Sequence, residues 1–466
     1  MPSTRKCLAC DNDCLEMMMT DPMAPDPAVI RDLGDGLILR RSTAADAEPL
    51  AEFNADIHGD RDANTPDEGV GVWTRDLLRG DHPTFGAGDF TIVEDTRTGK
   101  TVSSLNLISQ TWTYDGIPFG VGRPELVATH PDYRNRGLVR AQFEVVHQWS
   151  AERGHKVQAI TGIPFYYRQF GYEMALSLGG GRIGYLPHVP RLKPDQAEPY
   201  RVRPVAEADL PFLVEVDAHA AKRSLIACPR DLDHWRYELF GKSERNVSRL
   251  EIRIVETPAG EPAGVLGHSQ KLGASRVGVE LFELRPGVSW VAVMPSVLRY
   301  LDAAGAAYAE REQKPYMALA FWLGEDHPAF QVAQTRLPDV RRPYAWYLRV
   351  ADLLDFVRHI APALERRLAA SVTVGHTGEL KLSFYRDGLR LLLQDGKLAA
   401  VESWTPTVAD DGSAAFPGRT FLQLLFGYRS LEGLRSAFPD CWVDNDDARA
   451  LLNALFPQQS SRFLPI

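Results

Sequence analysis

From Glu125 to Tyr172 the chain reads ELVATHPDYRNRGLVRAQFEVVHQWSAERGHKVQAITGIPFYYRQFGY. This is the pattern of a strand, a short loop, a helix, a second strand and a turn. Leu126, Val127 and Ala128 form a short apolar run of β character. His130-Pro131-Asp132 breaks it, because proline has no N–H and restricts the residue before it. After Arg134-Asn135-Arg136-Gly137-Leu138-Val139, the apolar positions Phe143, Val146 and Trp149 return at helical spacing. A glycine in a strand-to-helix loop lets the backbone come close to a ligand. The helix behind it offers unpaired N–H groups and the positive end of its dipole. With Arg134, Arg136 and Arg140 added, the loop has the chemistry of a pyrophosphate cradle.

The loop resembles motif A of the GNAT acyltransferases, Arg/Gln-x-x-Gly-x-Gly/Ala. Arg134 and Gly137 match, and Val139 stands where a small residue is usual. Downstream, Phe165-Tyr166-Tyr167-Arg168-Gln169-Phe170-Gly171-Tyr172 looks like the family's second motif, F-Y-x-x-x-G-F/Y. Either pattern alone is weak, but together at this separation they point to acyl-CoA binding.

Working outward, 466 residues predict several domains, and 44% apolar residues suffice for several cores. A net charge of −9 argues against a general nucleic-acid or anionic-membrane binder and favours cationic partners. No apolar run is long enough to predict a transmembrane helix, and the N-terminus does not read as a secretory signal. A cytoplasmic protein is expected. Cys7, Cys10 and Cys14 lack a fourth ligand, so residues 1–36 read as a disordered leader with incidental thiols and no metal site is expected. Cys228 and Cys441 read as reduced core residues.

The first domain is expected over residues 37–185, opening on the strand Leu37-Ile38-Leu39-Arg40 with Ser42 as a helix cap. Phe90 to Glu94 and Val102 to Ile108 read as strands, and Asp115-Gly116 as a hairpin turn. Four prolines between Leu186 and Pro199 mark a linker. The chain then echoes itself. Arg203, Asp209 and Leu213 repeat Arg40, Asp46 and Leu50 at a constant offset, and Ile254-Val255-Glu256 repeats Ile92-Val93-Glu94 at nearly the same one. A duplicated domain over 200–350 follows. Where a second phosphate loop would be sought, Glu283 to Val288, no R-x-x-G-x-G stands. The second copy therefore reads as a structural or acceptor-site partner without its own cofactor.

Residues 351–466 change style. A helix over Ala361 to Ala370 precedes strands at Thr373-Val374, Leu380 to Tyr385, Leu389 to Leu393 and Leu398 to Val401. Asp387-Gly388 and Asp395-Gly396 read as hairpin turns, and helices follow at Thr420 to Phe426, Leu431 to Ala437 and Asp447 to Phe456. The fold class is α/β (α+β).

This order resembles the enhanced-intracellular-survival (Eis) acetyltransferases over Leu37 to Ile466. It is most specific in Thr129 to Leu138, in Tyr166-Tyr167 through Gly171-Tyr172, and in Phe421-Leu422-Gln423-Leu424-Leu425-Phe426-Gly427-Tyr428. The resemblance implies tandem GNAT domains, the second degenerate, and a C-terminal sterol-carrier-protein-like domain. It also implies acetyl-CoA as co-substrate, an amine acceptor of aminoglycoside, polyamine or lysine type, and a hexameric homo-oligomer. By position, Leu126, Val127 and Ala128 would line the pantetheine arm. Arg134, Asn135, Arg136, Gly137, Leu138 and Val139 would hold the pyrophosphate, with Gly162 and Ile163 as further cofactor contacts. Tyr167, four residues before Gly171, would be the general acid. Its ordinary pKa near 10 exceeds that of a thiol near 8.5, so a phenol can protonate a leaving thiolate. The resemblance makes the α-carboxylate of Ile466 the general base, and the apolar ending Phe463-Leu464-Pro465-Ile466 suits a docked tail.

Asp56, Asp60, Asp62, Asp67 and Glu68 form an acidic cluster that could border the acceptor site or simply face solvent. Dinucleotide, P-loop and H-E-x-x-H patterns are absent. A non-catalytic acyl-CoA sensor with an apolar-ligand module, and transfer of a longer acyl group, stay open.

Overall fold

A computed structural model describes residues 29–463 apart from 61 and 64. Cys7, Cys10, Cys14 and Ile466 lie outside the described residues. The described residues build three sheets, of ten, seven and five strands.

The first sheet runs β1 (Val29–Gly34), β2 (Leu37–Arg41), β3 (Phe90–Asp95), β4 (Lys100–Tyr114), β5 (Ile117–Thr129) and β6 (Val157–Ile160), with β7 (Glu173–Leu178) at its far edge. β1 falls inside the expected leader, yet it pairs with β2, and Arg31 reaches Glu144 at 2.8 Å. Alternating side chains divide the apolar residues between the two faces. Ile92 and Ile108 pack under α1 (Ala47–His58) and α2 (Glu68–Leu78), while Val93 and Leu107 pack under α3 (Leu138–Glu152).

The expected boundaries at 185 and 350 do not follow the sheets. Strand Tyr344–Val350 lies in the first sheet, between β6 and β7. Strand Gly181–Tyr185 lies in the second, between Asp339–Arg341 and Ala318–Phe321. Ala345, Trp346, Tyr347 and Leu348 are all buried, as suits a strand covered on both faces. The crossing point is dense. A Cβ on Gly180 would sit 2.8 Å from the Pro343 nitrogen, and one on Gly181 only 1.9 Å from the Phe321 carbonyl oxygen. Both glycines have positive φ, so the two connections pass where no larger residue fits.

The second sheet continues through Arg276–Leu284, Pro262–Ser269 and Leu250–Glu256 to Arg201–Pro204. Its winding repeats the first, and the echo in sequence marks one device used twice. Arg40 forks to Asp46 at 2.8 Å and Glu94 at 2.8 Å. Arg203 forks to Asp209 at 2.7 Å and Glu256 at 2.7 Å. Each fork ties a first strand to the helix entry and to the next strand.

The third sheet is antiparallel through Lys397–Trp404, Gly388–Gln394 and Gly378–Ser383, with Ala414–Ala415 and Trp442–Val443 beyond. Thr373-Val374 is a turn rather than the expected strand, because the Ser371 hydroxyl accepts from Thr373 N at 3.1 Å. This module shares a core with the β4–β5 hairpin. Trp112, Tyr114 and Phe119 cluster with Phe356 and Phe426, and the Tyr114 hydroxyl donates to the Leu425 carbonyl at 2.8 Å. Among the described residues no helix is long and apolar enough to cross a membrane.

Candidate functional site

β5 and β6 run parallel only at Val121–Val157 and Gly122–Gln158, and then part. Beyond that point β5 carries an extra residue against β4. Ser104 faces Ala128 while Asn106 faces Glu125, and Leu126 takes φ +52°. Such a bulge leaves backbone groups of Leu126 and Val127 outside the ladder. The strands part between Leu126, Val127 and Ala128 on one side and Gly162 and Ile163 on the other. Leu126 and Ala128 are buried, and Ile163 is exposed.

At the end of β5 lies the loop into α3. His130 Nδ1 accepts from Asp132 N at 3.3 Å, and the Tyr133 hydroxyl donates to Asp95 at 2.7 Å, so the start of the loop is pinned. Asn135 and Gly137 both have positive φ, and Arg134, Asn135, Arg136 and Gly137 are exposed. A Cβ on Gly137 would meet no protein atom within 4 Å. The space in front of the helix N-terminus is thus open for an anionic group. Leu138 is buried, and Val139 packs against the α3-side core of the first domain. Its bulk is absorbed by the core beneath the loop. These residues fit a pyrophosphate.

Tyr167 sits in the turn Tyr166–Phe170 and is 3% exposed. Phe143, Tyr166, Tyr172 and Tyr347 surround its ring at 5.4–6.4 Å between centroids. Its hydroxyl makes no hydrogen bond among the described residues and points to Gly162, 3.4 Å from where a Cβ would stand. Burial holds the phenol well above its ordinary pKa, and the charge of Glu125 adds to that. It is therefore protonated across the physiological range.

Next to Glu125 opens a cavity of about 630 Å³. The sequence did not foretell its walls. The first sheet contributes Arg123, Glu125 and Trp346, and α2 adds Trp73. The second domain contributes Glu280, Glu283, Glu325 and Asp326. The chain end, Gln458 to Phe463, closes one side. None of Asp56, Asp60, Asp62, Asp67 and Glu68 lines it. Asp67 is spent capping α2, accepting from Gly69 N and Val70 N, and Asp60 accepts from the backbone of its own turn. The cavity is acidic for another reason. Arg123 pairs with Glu125, and Arg462 pairs with Glu283, while Glu280 makes no hydrogen bond or ion pair among the described residues. Burial raises the Glu280 pKa, and the nearby Lys242 charge only partly offsets it.

The segment up to Phe463 is docked. Ser461–Arg462 pairs parallel with Ile226–Ala227, which in turn pairs with the end of β4. The Phe463 ring packs 4.4 Å from Trp112 and 5.7 Å from Trp346.

A family description of acetyltransferase (GNAT) domains matches residues 40–175. These residues are a GNAT acetyltransferase domain. The chain is an acyltransferase, and GNAT domains take acetyl-CoA as co-substrate. Solved structures share the fold of nearly the whole chain. An Enterococcus faecalis protein described as a "Probable N-Acyltransferase" is 13% identical, with TM-score 0.61, covering 92% of this chain and 98% of its own. A GCN5-related N-acetyltransferase from Anabaena variabilis is 15% identical, with TM-score 0.57 and the same coverage. Eis1 from Mycobacterium abscessus is 16% identical, with TM-score 0.56, covering 92% of this chain and 98% of its own. At these identities the likeness is one of fold. No curated protein sequence matches the chain.

Proposed function

We propose that the chain transfers the acetyl group of acetyl-CoA directly to a primary amine on a cationic acceptor, of aminoglycoside, polyamine or lysine type. One observation supports the reading: Tyr167 is a buried, protonated phenol within residues 40–175, and Glu125, whose charge reaches it, lines a cavity with an excess of carboxylates. In this reading residues 134–139 hold the pyrophosphate and the cleft from Leu126 to Ala128 takes the pantetheine, with Gly162 and Ile163 opposite. The backbone at the Leu126 bulge polarises the thioester carbonyl. The acceptor enters the acidic cavity, where Glu280 attracts its charge. A C–N bond forms at the carbonyl carbon and the C–S bond breaks. The amine proton passes to a carboxylate base, which we assign to the α-carboxylate of Ile466, and Tyr167 gives its proton to the departing thiolate.

The degenerate second domain, a C-terminal module of sterol-carrier-protein-like type, a hexamer and a cytoplasmic location complete the reading. The test is thiol release from acetyl-CoA by untagged protein against aminoglycosides, polyamines and lysine peptides. Release confined to one amine class establishes the acceptor. Tight acetyl-CoA binding with no release from any amine would replace the reading with an acyl-CoA sensor.

A further inference from the structure

Arg140, Arg349 and Arg419 line one cavity of about 350 Å³, yet they come from three separate parts of the chain. Arg140 is in the first turn of α3, and Arg349 lies on the strand Tyr344–Val350 of the first sheet. Arg419 follows the strand Ala414–Ala415 in the third sheet's module. Gln169, Phe170 and Gly171 close one side.

Arg349 and Arg419 are close neighbours. The Arg349 Nε lies 3.4 Å, and the Arg419 Nη2 3.6 Å, from where a Cβ on Gly171 would stand. Guanidiniums keep their charge at physiological pH, so the two repel. Burial lowers the Arg349 pKa, and the Arg419 charge lowers it further. A half-buried cation ordinarily has a carboxylate partner. Here the carboxylates are already engaged. Glu144 lines the cavity but pairs with Arg31 at 2.8 Å, and Glu173 pairs with Arg168 at 2.5 Å. Arg140 donates to the neutral Gln169 Oε1 at 2.9 Å, and Arg349 to the neutral Gln158 Oε1 at 2.7 Å. The exposed Arg419 side chain makes no hydrogen bond or ion pair among the described residues. His147, in the same wall, adds no charge, because burial lowers its pKa to about 3. A concentration of positive charge therefore stands in a chain whose net charge is −9.

A guanidinium presents a planar fork that fits the oxygens of a phosphate, and several around one cavity suit a dianion with three terminal oxygens. The cavity is also set apart from the glycine loop before α3. It runs from Arg140 to His147, about 10 Å along the helix.

We propose that Arg349 and Arg419, with Arg140 at the rim, form a phosphate-monoester site separate from residues 134–139. Two sources carry that chemistry: the 3′-phosphate on the ribose of coenzyme A, and a separate phosphorylated small molecule. The first source rests on acetyl-CoA as the donor; the site itself does not.

The test compares the full-length wild type with Arg419→Gln. Calorimetry measures acetyl-CoA and acetyl-3′-dephospho-CoA, and thermal melts compare inorganic phosphate with sodium chloride at equal ionic strength. If the coenzyme supplies the group, loss of the 3′-phosphate weakens wild-type binding by about tenfold or more. Arg419→Gln then weakens acetyl-CoA by a similar factor and leaves the dephospho form within about twofold. If a separate molecule supplies it, the wild type binds both coenzymes alike. Inorganic phosphate at about ten times its Kd then raises the wild-type midpoint by about 1–2 °C over chloride, and Arg419→Gln abolishes that rise. Arg349→Gln should behave as Arg419→Gln does; should it not fold, the exposed Arg419 carries the test alone. A wild type indifferent to both the 3′-phosphate and inorganic phosphate overturns the site. So does a phosphate preference that Arg419→Gln leaves intact, or an equal loss of both coenzymes in that variant. A wild type that binds neither coenzyme refutes the donor reading instead, and the phosphate melts then decide the site.

Discussion

Replacing Tyr167 with phenylalanine removes one hydroxyl and keeps the ring that Phe143, Tyr172 and Tyr347 enclose. Among the described residues that hydroxyl makes no hydrogen bond, so its loss should change folding stability by less than about 0.5 kcal/mol. Its effect on rate should be large. A positioned general acid contributes about 10²- to 10⁴-fold, or roughly 3–5 kcal/mol of barrier. Tyr167→Phe should therefore lower kcat by at least about 100-fold, with acetyl-CoA affinity and the thermal midpoint unmoved. The sign of the pH effect also follows. Burial holds the phenol above its ordinary pKa, so the wild-type acid stays protonated through neutral and mildly alkaline pH. A CoA thiol titrates near 8.5, so above about that pH the leaving group needs a proton less and the gap between variant and wild type should narrow. Thiol release, followed from about pH 6.5 to 9.5 beside acetyl-CoA titration calorimetry, measures all of this. Retention of more than about a third of wild-type kcat would refute the acid role. A parallel loss of acetyl-CoA binding would make Tyr167 a cofactor-binding residue instead.

Three further outcomes are expected. Gly137→Val should cost about 1–2 kcal/mol of stability, because φ is +76° there. It should weaken acetyl-CoA binding by at least about tenfold by filling the space before α3, and calorimetric affinity beside a thermal melt separates the two effects. Glu280→Gln should raise the acceptor KM with little change in kcat. In the wild type, acceptor KM should climb on acidification from a higher pH than an ordinary carboxylate allows, since burial raises the Glu280 pKa; KM against pH for both proteins checks this. For Glu283, burial alone would raise the pKa, but Arg462, His327 and Arg223 carry it down to about 2 from 4.5. A depressed carboxylate stabilises the fold above its unfolded pKa and loses that as pH falls. Denaturant unfolding should lose about 3 kcal/mol from this group between roughly pH 4.5 and 2, a slope Glu283→Gln should remove.

Several local features were legible because their signals are short-range. The left-handed glycine at 137, the proline break at 131 and the aromatic turn ending at Gly171 each follow from residues a few positions apart, and residues 40–175 hold them together as one domain. The duplication was legible too, since an arginine fork needs the same residue types at the same spacing wherever it is built. The acidic cluster around Asp60 and Asp67 left two readings open for an instructive reason. Charge in a loop is visible in sequence, but whether a carboxylate caps a helix or faces a cavity depends on the backbone next to it. Gly179-Gly180-Gly181 was passed over, although three adjacent glycines at positive φ are where the chain leaves one sheet for the other.

By itself the sequence determined the glycine turn before α3, the aromatic turn ending at Gly171 and the acyltransferase class, because each rests on short-range backbone geometry and side-chain type. Only the tertiary structure decided that the two sheets exchange strands, that one cavity draws its carboxylates from both sheets, and that Arg462 lies between Asp217 and Glu283. Those facts join residues separated in sequence by up to hundreds of positions. Burial of apolar strands and pairing of buried charge bring them together, and neither leaves a periodic mark along the chain.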